Sequence, residues 1–313
     1  MEDYPKNLTE FEARFSTEEA CRDYLYQLRW PNGFNCPRCG HERAWPVGTV
    51  LFQCACCNYQ TSVVSGTIFH GTHKPLTLWF RMIWWVIGQK NGASAMGLKR
   101  ILGLGSYLTA WLWLHKLRRA MVTPGRDHLA GTVEVDESYI GGEKTGKRGR
   151  GAAEKSLVVI AAEVKGTRIG RIRLRRVPDA SAKSLEVAVQ QATSPGSMIR
   201  TDGWKGYCGL SSLGYTHAVM RNTAEVGVNL LPHCHRVAAL LKRWLMGTHQ
   251  GAVSHEHLDY YLDEFTFRFN RRTSRHRGKL FFRLLQNAVE VDPIIYKRIV
   301  KNVRGRKSQN HNM

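Results

Sequence analysis

The chain has 313 residues, 43% of them hydrophobic, which is enough for two or three folded domains and excludes a disordered chain. Its 46 Lys and Arg against 25 Asp and Glu leave a formal net charge of +21. That excess favours a polyanionic partner, nucleic acid ahead of an acidic membrane surface, since no amphipathic anchor or lipidation signal accompanies it. The first residues, Met1-Glu2-Asp3-Tyr4-Pro5, lack the basic and apolar regions of a signal peptide. The most apolar stretch, Leu76 to Ile87, contains Arg81 and is too short to span a bilayer. A cytoplasmic protein with no membrane partner is expected, with eight cysteines that serve as metal ligands or buried thiols rather than disulfides.

In chain order, residues 1–29 carry Leu8, Phe11, Phe15, Ala20, Tyr24, Leu25 and Leu28 among charges. Thr9, Ser16, Glu18 and Glu19 offer capping chemistry, so one or two short amphipathic helices are predicted, packing on the segment C-terminal to them. Residues 30–62 hold Cys36-Pro37-Arg38-Cys39-Gly40 and Cys54-Ala55-Cys56-Cys57, two C-x-x-C pairs separated by 14 residues. This falls just under the usual window of ~15–20 residues for paired zinc knuckles. Cys36, Cys39, Cys54 and Cys57 are the expected ligands; Cys56 competes with Cys57, and the matched spacing favours Cys57. Four thiolates leave no open coordination position, so this zinc is structural. Short strands at 45–48 and 50–53 complete a zinc ribbon, whose Arg38, His41 and Arg43 either touch DNA or are only solvated.

Within residues 63–127, the stretch 74–121 is helical in pattern. A buried helix runs from Leu76 to near Gly88, followed by 95–102 and 107–119 joined at Gly103-Leu104-Gly105-Ser106. Two short helices around a Gly-containing turn fit a helix-turn-helix, with a plain helical hairpin as the alternative. Lys99, Arg100, Lys116, Arg118 and Arg119 are its candidate DNA contacts. A linker is expected at 123–127, and from there strands and helices alternate. The first strand, 132–139, delivers Asp136 at its end; strands at 157–164 and 168–177, a helix at 180–192, and strands at 198–201 and 216–219 come after it. The basic, Gly-rich loop 144–151 presents Lys147, Arg148 and Arg150 for phosphate contacts.

That order is the one expected of an RNase H-like mixed sheet, in which the first and fourth strands are neighbours. Asp136 and Asp202 would then converge as hard oxygen ligands for Mg²⁺ or Mn²⁺, the metals of phosphodiester chemistry. On a helix from His235 to Leu245, His235 and Lys242 are seven residues apart and share a face, His235 as third ligand and Lys242 on a phosphate. Glu264, Arg268 and Arg271 form another helical stripe, either part of the site or an intrahelical ion pair of ~0.5 kcal/mol or less.

Together, Cys36-Pro37-Arg38-Cys39, Val135-Asp136-Glu137-Ser138-Tyr139-Ile140-Gly141-Gly142, Thr201-Asp202-Gly203-Trp204-Lys205-Gly206-Tyr207, the segment 241–249 around Lys242 and the segment 263–272 around Glu264 resemble the insertion-sequence transposases that combine a zinc ribbon with an ISXO-two-like DDE domain. The resemblance covers about residues 15–290. It implies a multidomain α+β and α/β chain: N-terminal helices (1–29), zinc ribbon (30–62), helix-turn-helix-like region (63–127), RNase H-like catalytic domain (128–290) and basic tail (291–313). It further implies a prokaryotic, nucleoid-associated enzyme cutting and joining double-stranded DNA at element ends and target, acting as a homodimer or larger complex. The family's first two aspartates map onto Asp136 and Asp202. Its third acid is replaced by His235, with Glu264 as the backup and Glu225 a poorer one; the family's final glutamate and two arginines match Glu264, Arg268 and Arg271. The alternatives are a metal-dependent nuclease of the same fold without strand transfer, and a DNA-binding protein whose catalytic domain has decayed.

Overall fold

A computed structural model describes residues 2–122, 125–141, 155–220, 230–251 and 253–300. The elements in chain order are α1 (Leu8–Arg14), α2 (Glu18–Arg29), β1 (Ala44–Val47), β2 (Leu51–Cys54), β3 (Gln60–Ser62), α3 (Leu76–Gly88), α4 (Ala95–Ile101) and α5 (Tyr107–Ala120). Then come β4 (Thr132–Ile140), β5 (Ser156–Lys165), β6 (Arg168–Val177), α6 (Ala182–Ala192), β7 (Met198–Thr201), β8 (Thr216–Val219), α7 (Pro232–His249), α8 (Leu258–Asn270), α9 (Arg277–Glu290) and α10 (Tyr296–Val300). They divide into two compact units, Met1–Thr123 with Ser274–Met313, and Pro124–Thr273.

The first unit is built on aromatic packing. Asn7 and Thr17 cap α1 and α2, accepting from the amides of Glu10 and Ala20, so the caps lie beside, not at, the residues expected from the sequence. Phe281 of α9 meets Phe11, Phe15, Phe80 and Trp84 with ring centroids 5.5, 5.6, 5.5 and 5.6 Å away. The sequence pattern extends the catalytic segment to residue 290, whereas α9 belongs to the first unit. An amphipathic stripe shows that a helix will be covered, not by which unit, and here the complementary aromatics lie at the other end of the chain. The strands β1-β2-β3 form an antiparallel ribbon, and Phe52 on β2 packs on Tyr26 and Trp30 of the α2 segment.

In the second unit a five-stranded sheet has the order β6-β5-β4-β7-β8. The three long strands are antiparallel neighbours, and β7 and β8 add in parallel beyond β4. This is the expected RNase H-like mixed sheet, with the strands of Asp136 and Asp202 side by side. Strict alternation sends Val133 and Val135 of β4 to one face, where Leu185, Ala188, Val189 and Ala192 of α6 cover them. The opposite face of β4 carries Ile140, which joins Val158, Ile160, Ala162, Ile172 and Leu174 beneath α7 and α8. Glu134 and Asp136 have the same parity as Ile140 and so face the α7 side.

One detail differs from expectation. Asp136 does not end its strand: β4 continues four residues further, still paired with β5 through Ile140. Its parallel pairing with β7 stops at Glu134↔Arg200, however, so Asp136 stands just past the end of the neighbouring strand. The opening that α/β sheets offer at the carboxyl ends of parallel strands is therefore set by the shorter β7.

Candidate metal and nucleic-acid sites

The cysteine cluster is the simpler of two candidate sites. The ligand sulfurs of Cys36, Cys39, Cys54 and Cys57 all lie within 4.8 Å of one another. The Cys36–Cys57 and Cys39–Cys54 sulfurs are 3.7 and 3.6 Å apart. Tetrahedral Zn–S bonds of ~2.3 Å require S···S separations of about 3.8 Å, so the four thiols fit zinc. The two knuckles repeat one another: the Gly40 amide bonds the Cys36 carbonyl at 2.9 Å and the Asn58 amide bonds that of Cys54 at 3.1 Å. Both turn residues have positive φ, +74° at Gly40 and +57° at Asn58. That repetition selects Cys57 over Cys56, which is exposed. Against burial, which raises it, the amides of Cys57 and Cys56 draw the Cys54 thiol down to about 6, towards the thiolate a metal needs.

The second site is assembled on β4, β7 and α7. Asp136 Oδ1 accepts from the Glu137 amide at 2.9 Å, and Oδ2 lies 3.3 Å from His235 Nε2. The aspartate side chain is 19% exposed and the histidine 53%. Burial first, then the charge of Glu137, push the Asp136 carboxyl up to about 6; Asp202 adds to the rise, while the Glu137 amide and His235 oppose it. The Asp136 carboxyl is thus partly buried and near two other carboxylates.

Asp202 is exposed and accepts from the Trp204 amide at 2.9 Å, a tight Asx-type turn. The residues after it are fixed by contact. Gly203 has φ +83°, and a Cβ there would come within 2.6 Å of Val219. Trp204 Nε1 donates to the Ala180 carbonyl at 3.0 Å, and a Cβ on Gly206 would meet Leu185 at 2.7 Å. The buried Tyr207 hydroxyl donates to Glu137 at 2.8 Å, burial and that carboxylate both holding it protonated. The Asp-Gly-Trp-x-Gly-Tyr run is thus a scaffold that leaves one carboxylate open.

The helix α7 starts at Pro232 after Leu231, which provides no side-chain cap. Glu134 supplies it from β4: Oε2 accepts from the amides of His233 (2.8 Å) and Cys234 (3.1 Å), and Oε1 meets His233 Nδ1 at 2.6 Å. A carboxylate at a helix N-terminus is worth up to ~2 kcal/mol in partly buried settings. Sequence reasoning misses Glu134, whose alternating position resembles a solvent-facing one. The available signal is the missing cap residue before Pro232. Two turns beyond His235, the exposed Lys242 borders an open pocket with Ile140, Leu245, Met246 and His255.

Among the described residues, the cysteines are the group of three or more His, Cys, Asp or Glu side chains with donor atoms gathered closely enough to hold an ion. Asp136 and His235 are brought together; Asp202 is electrostatically coupled to Asp136 but is not drawn into a common ligand set with them. The donor chemistry suits a hard divalent cation, and the shared excess of carboxylate is what such an ion would relieve. Glu264 is elsewhere. It is 0% exposed and ion-paired at 2.8 Å with Arg268, on a helix that packs over β6, two strands from β4. It joins no close ligand group with Asp136 and His235 among the described residues, and Arg271 lies over the Phe267 ring, 4.2 Å from its centroid.

Of the expected DNA contacts, Arg100 is exposed and Lys99 partly so. Arg118 is corrected: at 1% exposure it is buried in the first unit and unable to reach a duplex. Arg119 donates to the Asp292 carbonyl at 2.8 Å, and Lys116 to that of His70 at 3.3 Å, so each has a partner within the fold and is only partly exposed. The cause is that α5 is covered on most sides, with Ala110, Trp113, Leu114 and Leu117 all buried. Lys147, Arg148, Arg150, Glu225 and the basic residues from 301 onward lie outside the described residues. If this face meets a duplex, removing Arg100 should weaken DNA binding and lower the salt slope by about 1. Arg118→Ala should instead lower the melting temperature; a salt titration beside a thermal melt separates the two.

Comparison with known proteins agrees with this architecture. Residues 128–270 match the family model of the ISXO2-like transposase domain, and residues 16–60 that of the transposase zinc-ribbon domain. A protein of Halobacterium salinarum, named as an uncharacterized protein in transposable element ISH50, is 30% identical over 287 residues, 85% of this chain and 94% of that one. The chain is a zinc-ribbon protein with an RNase H-like unit. It belongs to the insertion-sequence transposase family with the ISXO2-like domain, and DNA binding follows from that membership. No helix among the described residues is long and apolar enough to cross a membrane.

Proposed function

We propose that this protein is a DDE-type DNA transposase that binds the terminal inverted repeats of its element and carries out DNA cleavage and strand transfer, with His235 in the third position. The observation that carries the reading is His235 Nε2 at 3.3 Å from Asp136 Oδ2, with Asp202 in the turn directly after the adjacent parallel strand β7 and close enough to act on the Asp136 charge. Asp136, Asp202 and His235 would hold Mg²⁺ or Mn²⁺, which supplies activation of water or a 3′-hydroxyl and stabilisation of the leaving oxygen. The protein's own part is positional. Asp136 and Asp202 keep a concentrated negative charge on a rigid sheet, the imidazole borders it on an exposed helix face, and Lys242 offers an ammonium to a backbone phosphate two turns along. Glu264 and Arg268 are held as a buried ion pair on α8, and a structural zinc would serve the ribbon.

The test is purified protein with labelled inverted-repeat ends and a target duplex, in Mg²⁺ or Mn²⁺. Strand-transfer products are expected. Cleavage without joining would leave a nuclease, and binding without cleavage a decayed enzyme. In the same assay His235→Ala should lower cleavage by about 10–100-fold. Glu264→Gln should act mainly on the melting temperature; the reverse ranking would return Glu264 to the site.

A further inference from the structure

We infer that Glu134 is a positioning residue for the reaction, acting through His235; the inference rests on the transposase reading above. Glu134 is 2% exposed, and both of its oxygens are taken, one by the His233 and Cys234 amides and the other by the His233 ring. It is therefore not an open ligand. It stands two residues before Asp136 on the same face of β4, so one strand grips both the start of α7 and the imidazole that α7 presents.

With Pro232 as the first helical residue, His235 is the fourth and makes the first helical bond, to the Leu231 carbonyl at 3.0 Å, directly after the His233 and Cys234 amides, which have no partner inside the helix and rest on Glu134. Cys234 is buried, with its thiol donating to the Ile160 carbonyl at 3.4 Å, so water cannot substitute for a lost carboxylate at its amide. Removal of Glu134 frays this turn first. Lys242 lies farther along, where Val237, Leu241 and Leu245 lock α7 to the sheet, and is left in place. The damage is thus specific to His235. A general loss of packing would move both residues, whereas loss of this clamp moves one.

The experiment is a double-mutant cycle of Glu134→Leu and His235→Ala, read by cleavage of inverted-repeat ends, with hydrogen exchange at the His233 and Cys234 amides and a thermal melt on each variant. Glu134→Leu should lower cleavage about 10–100-fold, as loss of outer groups that orient a ligand does, and the double variant should be no slower than His235→Ala alone. Amide protection should fall at His233 and Cys234 and persist around Leu241. Glu134→Gln, which keeps a carbonyl acceptor, should retain much of both rate and protection. If Glu134→Leu does not fold, Glu134→Gln and His233→Ala, each removing part of the clamp, take its place in the cycle. Multiplying losses, a wild-type rate in Glu134→Leu, or full activity in His235→Ala would overturn the proposal while Asp136→Asn still failed to cleave. Cleavage surviving in Asp136→Asn, or absent from the wild type, would instead overturn the transposase reading, and the positioning role with it.

Discussion

Asp136→Asn should abolish DNA cleavage and at the same time make the metal-free protein more resistant to heat at neutral pH. The first effect follows from removing an anionic ligand: several kcal/mol of transition-state stabilisation corresponds to about 10³-fold or more in rate. Asp202→Asn should match it, with inverted-repeat binding by both variants near wild type in a gel-shift assay. The second effect has the opposite sign to that of an ordinary structural aspartate. Burial, Glu137 and Asp202 raise the Asp136 carboxyl from 3.8 to about 6 in the folded protein. The unfolded chain ionises near the ordinary value, so above about pH 6 the folded state carries a penalty, on the order of 2–3 kcal/mol. That penalty fades as pH falls from about 6 to about 4. Metal-free wild type should therefore gain stability from this group between pH 7 and pH 5, and the variant should lack that gain. An Asp136→Asn protein that melts earlier than wild type at pH 7 would show a structural carboxylate, not one kept ionised for a ligand.

Cys57→Ala should lose its zinc and melt the ribbon, whereas Cys56→Ala should keep both. The difference expected is large because metal-binding energy in such knuckles is folding energy, roughly 10–16 kcal/mol at neutral pH. The loss should reach α2, since Phe52 of the ribbon packs on Tyr26 and Trp30 with centroids 5.2 and 5.9 Å away. It should leave the β4–β8 sheet intact, because that sheet has its own two-sided core. Metal analysis of each purified variant gives the zinc content, and hydrogen exchange of the ribbon and sheet amides gives the extent of unfolding. Equal zinc in both variants would overturn the ligand assignment.

The strands of the second unit are legible in the sequence because their patterns are strong. β6, β7 and β8 run over the expected 168–177, 198–201 and 216–219, bounded by Gly, Pro and Asp signals. The neighbourhood of β4 and β7 follows from strand order alone. Legibility fails where a residue's meaning depends on a distant partner. Glu134 alternates like a solvent-facing residue, yet it meets a helix 99 positions later. Arg118 lies in a basic run at the end of α5, yet tertiary packing turns it inward. Glu264 falls in a stripe with Arg268, and the ion pair that the spacing allows is present, buried, and outside any close ligand group among the described residues. Its spacing reveals the pair and not the distance to a third group.

The return of α9 to the first unit bears on the order in which the chain can be made. A ribosome releases Phe11, Phe15, Phe80 and Trp84 long before Phe281, the ring that meets all four. The first unit therefore stays unfinished until the whole β4–α8 insert has emerged, and a chain broken inside that insert lacks the keystone of its own front half. A nascent or truncated copy carries a first unit without the ring that joins Phe11 and Phe15 to α3.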